Sequence, residues 1–280
     1  MASTQHIAVT GSTGALGSLV VQNLADLGVA QRLLVRDLSR APQLPEATAS
    51  TFDYANRDLS KDALAGIEVL FMVSAPESDH RMDLHSTFID AAVAAGVKHI
   101  VYTSFTAAAP DAEFTLAREH YATEEYLRAS GLRFTFLRDS FYLDFLPALV
   151  GEDGVIRGPA GTGHFAPVAR ADVARTAAKI LASASEHASA TYEMTGPQSL
   201  SMSDVARILS EVRGQNITFY DESIKEAYAS RAEYGAPSWQ LDAWVSTYTA
   251  ISSTTMAKVS DHIEIITGTA PMSFEDYLRK

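Results

Sequence analysis

The 280-residue sequence predicts a doubly wound parallel α/β fold with a smaller, mostly helical C-terminal substrate region. Three observations carry this. Short apolar runs alternate with helix-spaced segments through the first half, a glycine-rich turn joins the first such pair, and turn residues crowd the chain after residue 150. His6–Thr10 (HIAVT) reads as the first strand, and Gly14–Leu27 as a helix closed by Gly28. Arg32–Val35 and Ser50–Asp53 read as the next two strands. Val69–Ala75 is apolar throughout, as a strand covered on both faces should be. A helix over Asp83–Ala95 ends at Gly96 and leads into a strand at His99–Thr103. A long helix at Thr115–Ser130 then hands over to a strand at Phe134–Leu137. Residues 151–167 carry five glycines and two prolines, and beyond them helices at 171–184 and 203–213 and strands at 190–195 and 216–220 are expected. The last 55 residues read as mainly helical. The expected division is 1–150, a dinucleotide-binding domain, and 151–280, a substrate region partly interleaved with it.

Composition narrows the chemistry. Cysteine is absent, which removes disulfides, thiolate nucleophiles and cysteine-ligated zinc. A net charge of −12, from 22 basic and 34 acidic side chains, argues against a nucleic-acid surface. No apolar run reaches the roughly 18 residues of a membrane span. The opening MASTQH lacks a basic stretch followed by an apolar one, so a secretion leader is not expected and a cytoplasmic location is. A small-molecule substrate is expected, with neither nucleic acid nor membrane involved and the chain a monomer or homodimer.

The strongest single signal is Gly11-Ser-Thr-Gly14-Ala-Leu-Gly17, placed directly after a strand and opening a helix. Glycine at such positions permits positive φ and removes the Cβ that would bar a pyrophosphate, while the helix N-terminus supplies N–H donors. This is a Rossmann-type arrangement. At the end of the second strand, where an NAD enzyme places a carboxylate for the ribose hydroxyls, the chain has Arg36, with Arg40 nearby and Asp37 adjacent. An arginine pairs with a 2′-phosphate, so NADP(H) is favoured over NAD(H).

The preceding Thr10 and the Gly-x-x-Gly-x-x-Gly spacing resemble the short-chain dehydrogenase/reductase superfamily. Further stretches resemble its NmrA-like atypical branch, which includes type 2 quinone oxidoreductases and triphenylmethane dye reductases. They are Ala94-Ala-Gly-Val-Lys-His-Ile-Val-Tyr-Thr-Ser104, Glu119-His-Tyr-Ala-Thr-Glu124, Phe134-Thr-Phe-Leu-Arg138-Asp-Ser-Phe-Tyr142 and Gly268-Thr-Ala-Pro-Met-Ser-Phe. The resemblance implies that Gly11, Thr13, Gly14, Leu16 and Gly17 form the pyrophosphate loop and that Arg36 meets the adenosine phosphate. It puts Asp53 and Tyr54 near adenine, Val73, Ser74 and Ala75 along the ribose, and Thr103 and Ser104 beside the nicotinamide ribose.

The chain departs from the superfamily at one point. No Tyr-x-x-x-Lys occurs, and the positions of that pair fall on Leu116 and His120. Alcohol–ketone chemistry through a lysine-activated tyrosine is therefore not expected. Hydride delivery to a quinone, a dye or another conjugated acceptor survives, because the cofactor carries that chemistry. The catalytic candidates are His120, Tyr142 and Ser104, with Tyr121 behind them. His120 has two readings, a proton donor or a hydrogen-bonding partner of the ribose or a backbone carbonyl. Phe105, Phe141 and Phe145 are candidates for a flat apolar pocket. A second function class shares the whole cofactor site, namely a non-catalytic NAD(P) sensor of NmrA type. A Ser104–His120–Asp139 triad lacks a nucleophile elbow, and His80 and His85 lack metal-ligand spacing, so hydrolase and metal readings are set aside. Arg170 and Asp172 read as a helix-start salt pair or cap, and Glu124–Glu125 as a solvated face.

Overall fold

The protein is described by a computed structural model over residues 7–280. His6, expected in the first strand, lies outside the described residues. The elements in order are β1 (Ile7–Val9), α1 (Gly17–Asp26), β2 (Gln31–Val35), β3 (Ala47–Thr51), α2 (Arg57–Ala63), β4 (Val69–Met72), α3 (Arg81–Ala95), β5 (His99–Phe105), α4 (Thr115–Ala129) and β6 (Arg133–Asp139). They continue with β7 (Val155–Gly158), β8 (His164–Phe165), α5 (Arg170–Ala182), β9 (Ala190–Met194), β10 (Leu200–Ser201), α6 (Met202–Arg213) and β11 (Thr218–Asp221). The chain ends with α7 (Ile224–Arg231), α8 (Ser238–Ser252), α9 (His262–Thr267) and α10 (Phe274–Leu278).

A seven-stranded sheet runs in the order β3-β2-β1-β4-β5-β6-β9, the doubly wound order that the alternating pattern predicts. The pairings β3–β2, β2–β1, β1–β4 and β4–β5 are all parallel. The strand order reverses at β1, whose neighbours are β2 and β4, so the switch point lies beside the glycine turn. All four residues of β4 and all seven of β5 are buried, as strands covered on both faces must be. Helix ends follow their sequence signals: α3 stops at Gly96 and α6 at Gly214, both left-handed, and α6 starts in a Ser201–Asp204 capping box.

Some expected boundaries move. The third strand begins at Ala47, three residues before the expected start, and ends at Thr51, two before the expected end, because this edge strand pairs with β2 while burying little of its own side chains. The fourth strand stops at Met72, the fifth reaches Phe105 and the sixth Asp139. Helix α2, capped by the Asn56 side chain on the Leu59 N–H, has no counterpart among the expected elements.

The chain folds into two compact units. One takes the chain up to Ser104, with Glu119–Arg138 and Arg170–Tyr192; the other takes Phe105–Arg118, Asp139–Ala169 and Glu193–Lys280. The first has a core around Leu70, Phe88, Ile89, Tyr102 and Phe136. The second has its own around Phe114, Ile156, Phe165, Leu209, Tyr248 and Phe274. Among the described residues no helix is long and apolar enough to cross a membrane.

Glycine is required in the second unit where backbones meet. A Cβ on Gly163 would stand 2.1 Å from the Ile251 carbonyl oxygen, a backbone atom that cannot step aside. Gly163→Ala is expected to lower the unfolding free energy by about 1–3 kcal/mol, read as a drop in the urea midpoint with unchanged slope.

Candidate functional site

The glycine turn is an open anion cradle. Gly11 sits at φ +62° with its missing Cβ against Val73, and its carbonyl accepts the Gly14 N–H at 2.8 Å. A Cβ on Gly17 would lie 2.1 Å from the Gly11 oxygen, so only glycine lets α1 begin this close to β1. Thr13 and Gly14 are exposed, whereas Leu16 is buried and anchors the turn. The first turn of α1 carries no acidic residue and no side-chain cap, which leaves its N-terminal dipole uncompensated by the protein. A pyrophosphate fits such a turn.

At the end of β2, Arg36 is exposed and makes no ion pair among the described residues. The neighbouring Asp37 is occupied, since its carboxylate accepts the Ser39 N–H and O–H at 2.9 and 2.7 Å. Those hydrogen bonds, with the Arg40 charge beyond them, hold its carboxyl below the usual range. The acid adjacent to Arg36 therefore caps a 3-10 turn at Leu38–Arg40. Asp53 is also exposed and turns inward on the Ala55 N–H.

The strand ends of β1, β4 and β5 are tied by side chains. Thr10 Oγ1 accepts the Val73 N–H at 2.8 Å, and the Tyr54 hydroxyl lies on both Thr10 Oγ1 and the Val73 carbonyl. Burial drives the Tyr54 pKa up, so it stays a neutral phenol. Thr103 Oγ1 accepts the Ser74 N–H at 2.8 Å. The Ala75 N–H donates to His85 Nε2 at 2.8 Å, His85 Nδ1 faces Thr123 Oγ1 at 2.8 Å, and the Thr123 hydroxyl donates to the Glu119 carbonyl at 2.9 Å. With the Thr123 hydrogen used on Glu119, Nδ1 of His85 must donate, which fixes its tautomer. Burial, then the Arg81 charge, press the His85 pKa down to about 3. His85 is thus a neutral support for the loop after β4. Its helical spacing from Phe88, Ile89 and Ala92 puts it on the buried stripe of α3.

The catalytic candidates of the first unit are all engaged. The Ser104 hydroxyl donates to Glu124 Oε1 at 2.6 Å. Arg138 clamps the same carboxylate through Nε and Nη2 at 2.8 and 2.7 Å, and Arg128 reaches it at 3.2 Å. Glu124 is fully buried, contrary to the solvated face expected of Glu124–Glu125; only Glu125 is exposed. Arg138, fourteen residues downstream on a strand, makes its burial tolerable, and no local pattern announces that pairing. His120 is buried, with Nδ1 2.9 Å from the Tyr102 hydroxyl. Burial, with the Arg81 charge and His85 beside it, pushes its pKa well down, so the ring is neutral at physiological pH. Tyr121 is half-buried on the same helix. Asp172 pairs with Arg175 at 2.9 Å, a structural contact at the start of α5.

The second unit contains a cavity of about 430 Å³, lined by Phe105, Thr106, Ala107, Phe114, Ala250 and Met256 among others, with Asp111 and Glu113 also in its wall. That volume suits a small planar molecule. Phe105, Phe114 and Phe141 form a mutual cluster with ring centroids 4.9, 5.0 and 5.3 Å apart. Phe141 and Phe145, the latter 47% exposed, are both outside the cavity lining; Phe114, the residue directly before α4, lines it with Phe105. Tyr142 donates its O–H to Asp139 Oδ2 at 2.6 Å. Among the described residues no cluster of His, Asp or Glu could hold a metal ion.

A doubly wound sheet with an open glycine turn at its switch point defines a dinucleotide-binding α/β protein. Residues 3–277 match the model of the NmrA-like family, and the chain belongs to that family. Quinone oxidoreductase 2 of Escherichia coli (strain K12) is 34% identical over 244 residues, covering 84% of each chain. Among solved structures, the NADPH complex of an Escherichia coli NADPH-dependent quinone oxidoreductase superposes with a TM-score of 0.90 at 31% identity over 98% of both chains. Citrobacter sp. triphenylmethane reductase gives 0.86 at 32% identity, again over 98% of both.

The Glu124 cluster yields a stability prediction. Glu124→Ala leaves Arg138 without its buried partner and is expected to cost about 3–5 kcal/mol. Glu124→Gln, which keeps hydrogen-bonding capacity, should cost less. Thermal unfolding of the two variants beside the parent checks the ranking.

Proposed function

We propose that this chain is an NADPH-dependent reductase that passes hydride to a small conjugated or aromatic acceptor, a quinone or a dye, without a Tyr-x-x-x-Lys pair. The observation that carries the reading is the glycine turn with an exposed Arg36 at the end of β2 that makes no ion pair among the described residues, in a chain 34% identical to a quinone oxidoreductase. Gly11, Thr13, Gly14, Leu16 and Gly17 hold the pyrophosphate. Arg36 meets the 2′-phosphate, and Asp37, bound to Ser39, presents no free carboxylate against it. Asp53 and Tyr54 flank the adenine end, and Val73, Ser74, Ala75 and Thr103 shape the ribose shelf through the bonds of Thr10, Thr103 and His85. The bound dinucleotide supplies the hydride.

Phe105 and Phe114 hold the planar acceptor by stacking in the cavity. Ser104, donating into Glu124, offers lone pairs rather than a proton. His120, neutral and bonded to Tyr102, serves as a hydrogen-bonding partner near the ribose rather than as a titrating acid. Tyr142 is assigned the proton-donating role because its carboxyl partner, Asp139, is not paired with a cation as Glu124 is.

NADPH absorbance decay against menadione, benzoquinone, a triphenylmethane dye, an azo dye and simple ketones tests the reading. Turnover of a quinone or dye with ketones inert is expected. Tight NADPH binding with no turnover on any of them would favour the sensor function instead. Arg36→Ala should weaken NADPH binding about tenfold or more, the worth of a charge-assisted pair, and leave NADH affinity nearly unchanged in the same titration. For the loop after β4, His85→Leu should weaken NADPH binding. His85→Gln, which can accept from Ala75 and donate to Thr123, should restore much of it.

A further inference from the structure

We propose that the buried Asp139 carboxyl is the proton reservoir of the reaction: it feeds Tyr142, and Tyr142 protonates the oxygen or nitrogen that the reduced acceptor would otherwise leave negative. The inference rests on the reductase reading above. Asp139 ends β6 and is 3% exposed. One carboxyl oxygen, Oδ2, meets the Tyr142 hydroxyl at 2.6 Å. The other, Oδ1, is buried without a hydrogen-bond partner among the described residues, as is the hydroxyl of the adjacent Ser140. A carboxylate placed here for structure alone would have both oxygens satisfied and a cation beside it. Asp139 has neither in its hydrogen bonds; the charged group beside it is another acid.

That acid is Glu193 on β9, which accepts the Thr106 hydroxyl at 2.8 Å. His262, at the start of α9, accepts the Glu193 N–H on Nδ1 at 2.9 Å, so that nitrogen carries no proton. Burial, opposed by the Tyr142 hydrogen bond and reinforced by the Glu193 charge, raises the Asp139 pKa to about 8. A carboxylic acid that holds its proton at neutrality and yields it slightly above is matched to general-acid work. The position is tied to the cavity through the backbone: Thr106, in the cavity wall, donates its N–H to the Asp139 carbonyl at 3.0 Å. Ala107, the next wall residue, sits at φ +56°, an uncommon conformation for alanine that marks this turn as constrained.

The step balances. Hydride forms a new bond to the quinone, whose π electrons move onto oxygen. That oxygen takes the Tyr142 hydrogen, and the Asp139 hydrogen crosses to the tyrosine oxygen through the same short contact run in reverse. Water reprotonates Asp139 after product leaves. The sum is one NADPH, one proton and one quinone giving NADP⁺ and hydroquinone. A cationic triphenylmethane dye differs, because hydride on its central carbon gives a neutral product and no proton is needed.

The test exploits that difference. The full chain is assayed at saturating NADPH with menadione and with a triphenylmethane dye cation, between pH 6 and 9. Wild-type menadione turnover should fall as pH rises through about 8 and show a solvent deuterium isotope effect absent with the dye. In Asp139→Asn the menadione-to-dye turnover ratio should fall about tenfold or more, and the fall with pH should vanish. Tyr142→Phe, a variant that keeps the ring, should lower the ratio likewise and abolish the isotope effect. Equal losses on both acceptors, or an unchanged ratio and pH profile in both variants, would overturn the proposal while leaving the reductase intact. A wild-type protein that turns over neither acceptor overturns the reductase reading and the proposal with it.

Discussion

The approach of α1 to the turn after β1 is the constraint from which the first unit is built. Gly17 must lack a Cβ because the Gly11 carbonyl oxygen stands where it would be. With that approach made, the start of α1, which has no side-chain cap, lies at the point where the strand order reverses. Thr10, Tyr54, Thr103 and His85 then tie the ends of β1, β4 and β5 and the loops that follow them. Each of these four polar side chains has at least one hydrogen bond to backbone, and Tyr54 and His85 are held in turn by Thr10 and Thr123, so these strand ends are ordered by the protein itself. Such preorganisation reduces the ordering cost of binding.

Two buried acids show how environment divides one residue chemistry into two roles. Glu124 is surrounded by Arg138, Arg128 and the Ser104 hydroxyl, and these contacts suit a carboxylate anion. Asp139, the residue directly after Arg138, meets a phenol on one oxygen and nothing described on the other, with Glu193 adding negative charge. The neutral form is favoured there. Adjacent residues of one strand end thus anchor a cationic clamp and hold a proton, because consecutive side chains leave a strand in opposite directions.

The histidines follow the same logic in reverse. His85 and His120 look like acid–base candidates by residue type, yet burial and the nearby Arg81 charge keep both neutral. Their chemistry is that of uncharged donors and acceptors, which is what a positioning role needs. Neither histidine is therefore a titrating acid near neutral pH.

How much of this could be read from the chain depends on the range of the interaction. The alternating strands and helices, the Gly11–Gly17 turn and the place of Arg36 at the end of β2 all rest on local spacing, and local spacing is what a sequence displays. The edge strand β3 started three residues early because its side chains are little buried and leave no apolar pattern. The position of Phe145, the burial of Glu124 and the tautomer of His85 could not be read, because each depends on partners brought in from elsewhere in the chain. Glu124 looks like half of a solvated acidic pair until Arg138 arrives from β6. Asp139 reads only as a member of a discarded triad until Thr106, Tyr142 and Glu193 surround it. The sequence by itself determined the fold class, the anion-binding turn and the family. Only the tertiary structure decided which ionisable groups are charged, since desolvation and pairing are properties of the space a side chain occupies and not of its place in the chain.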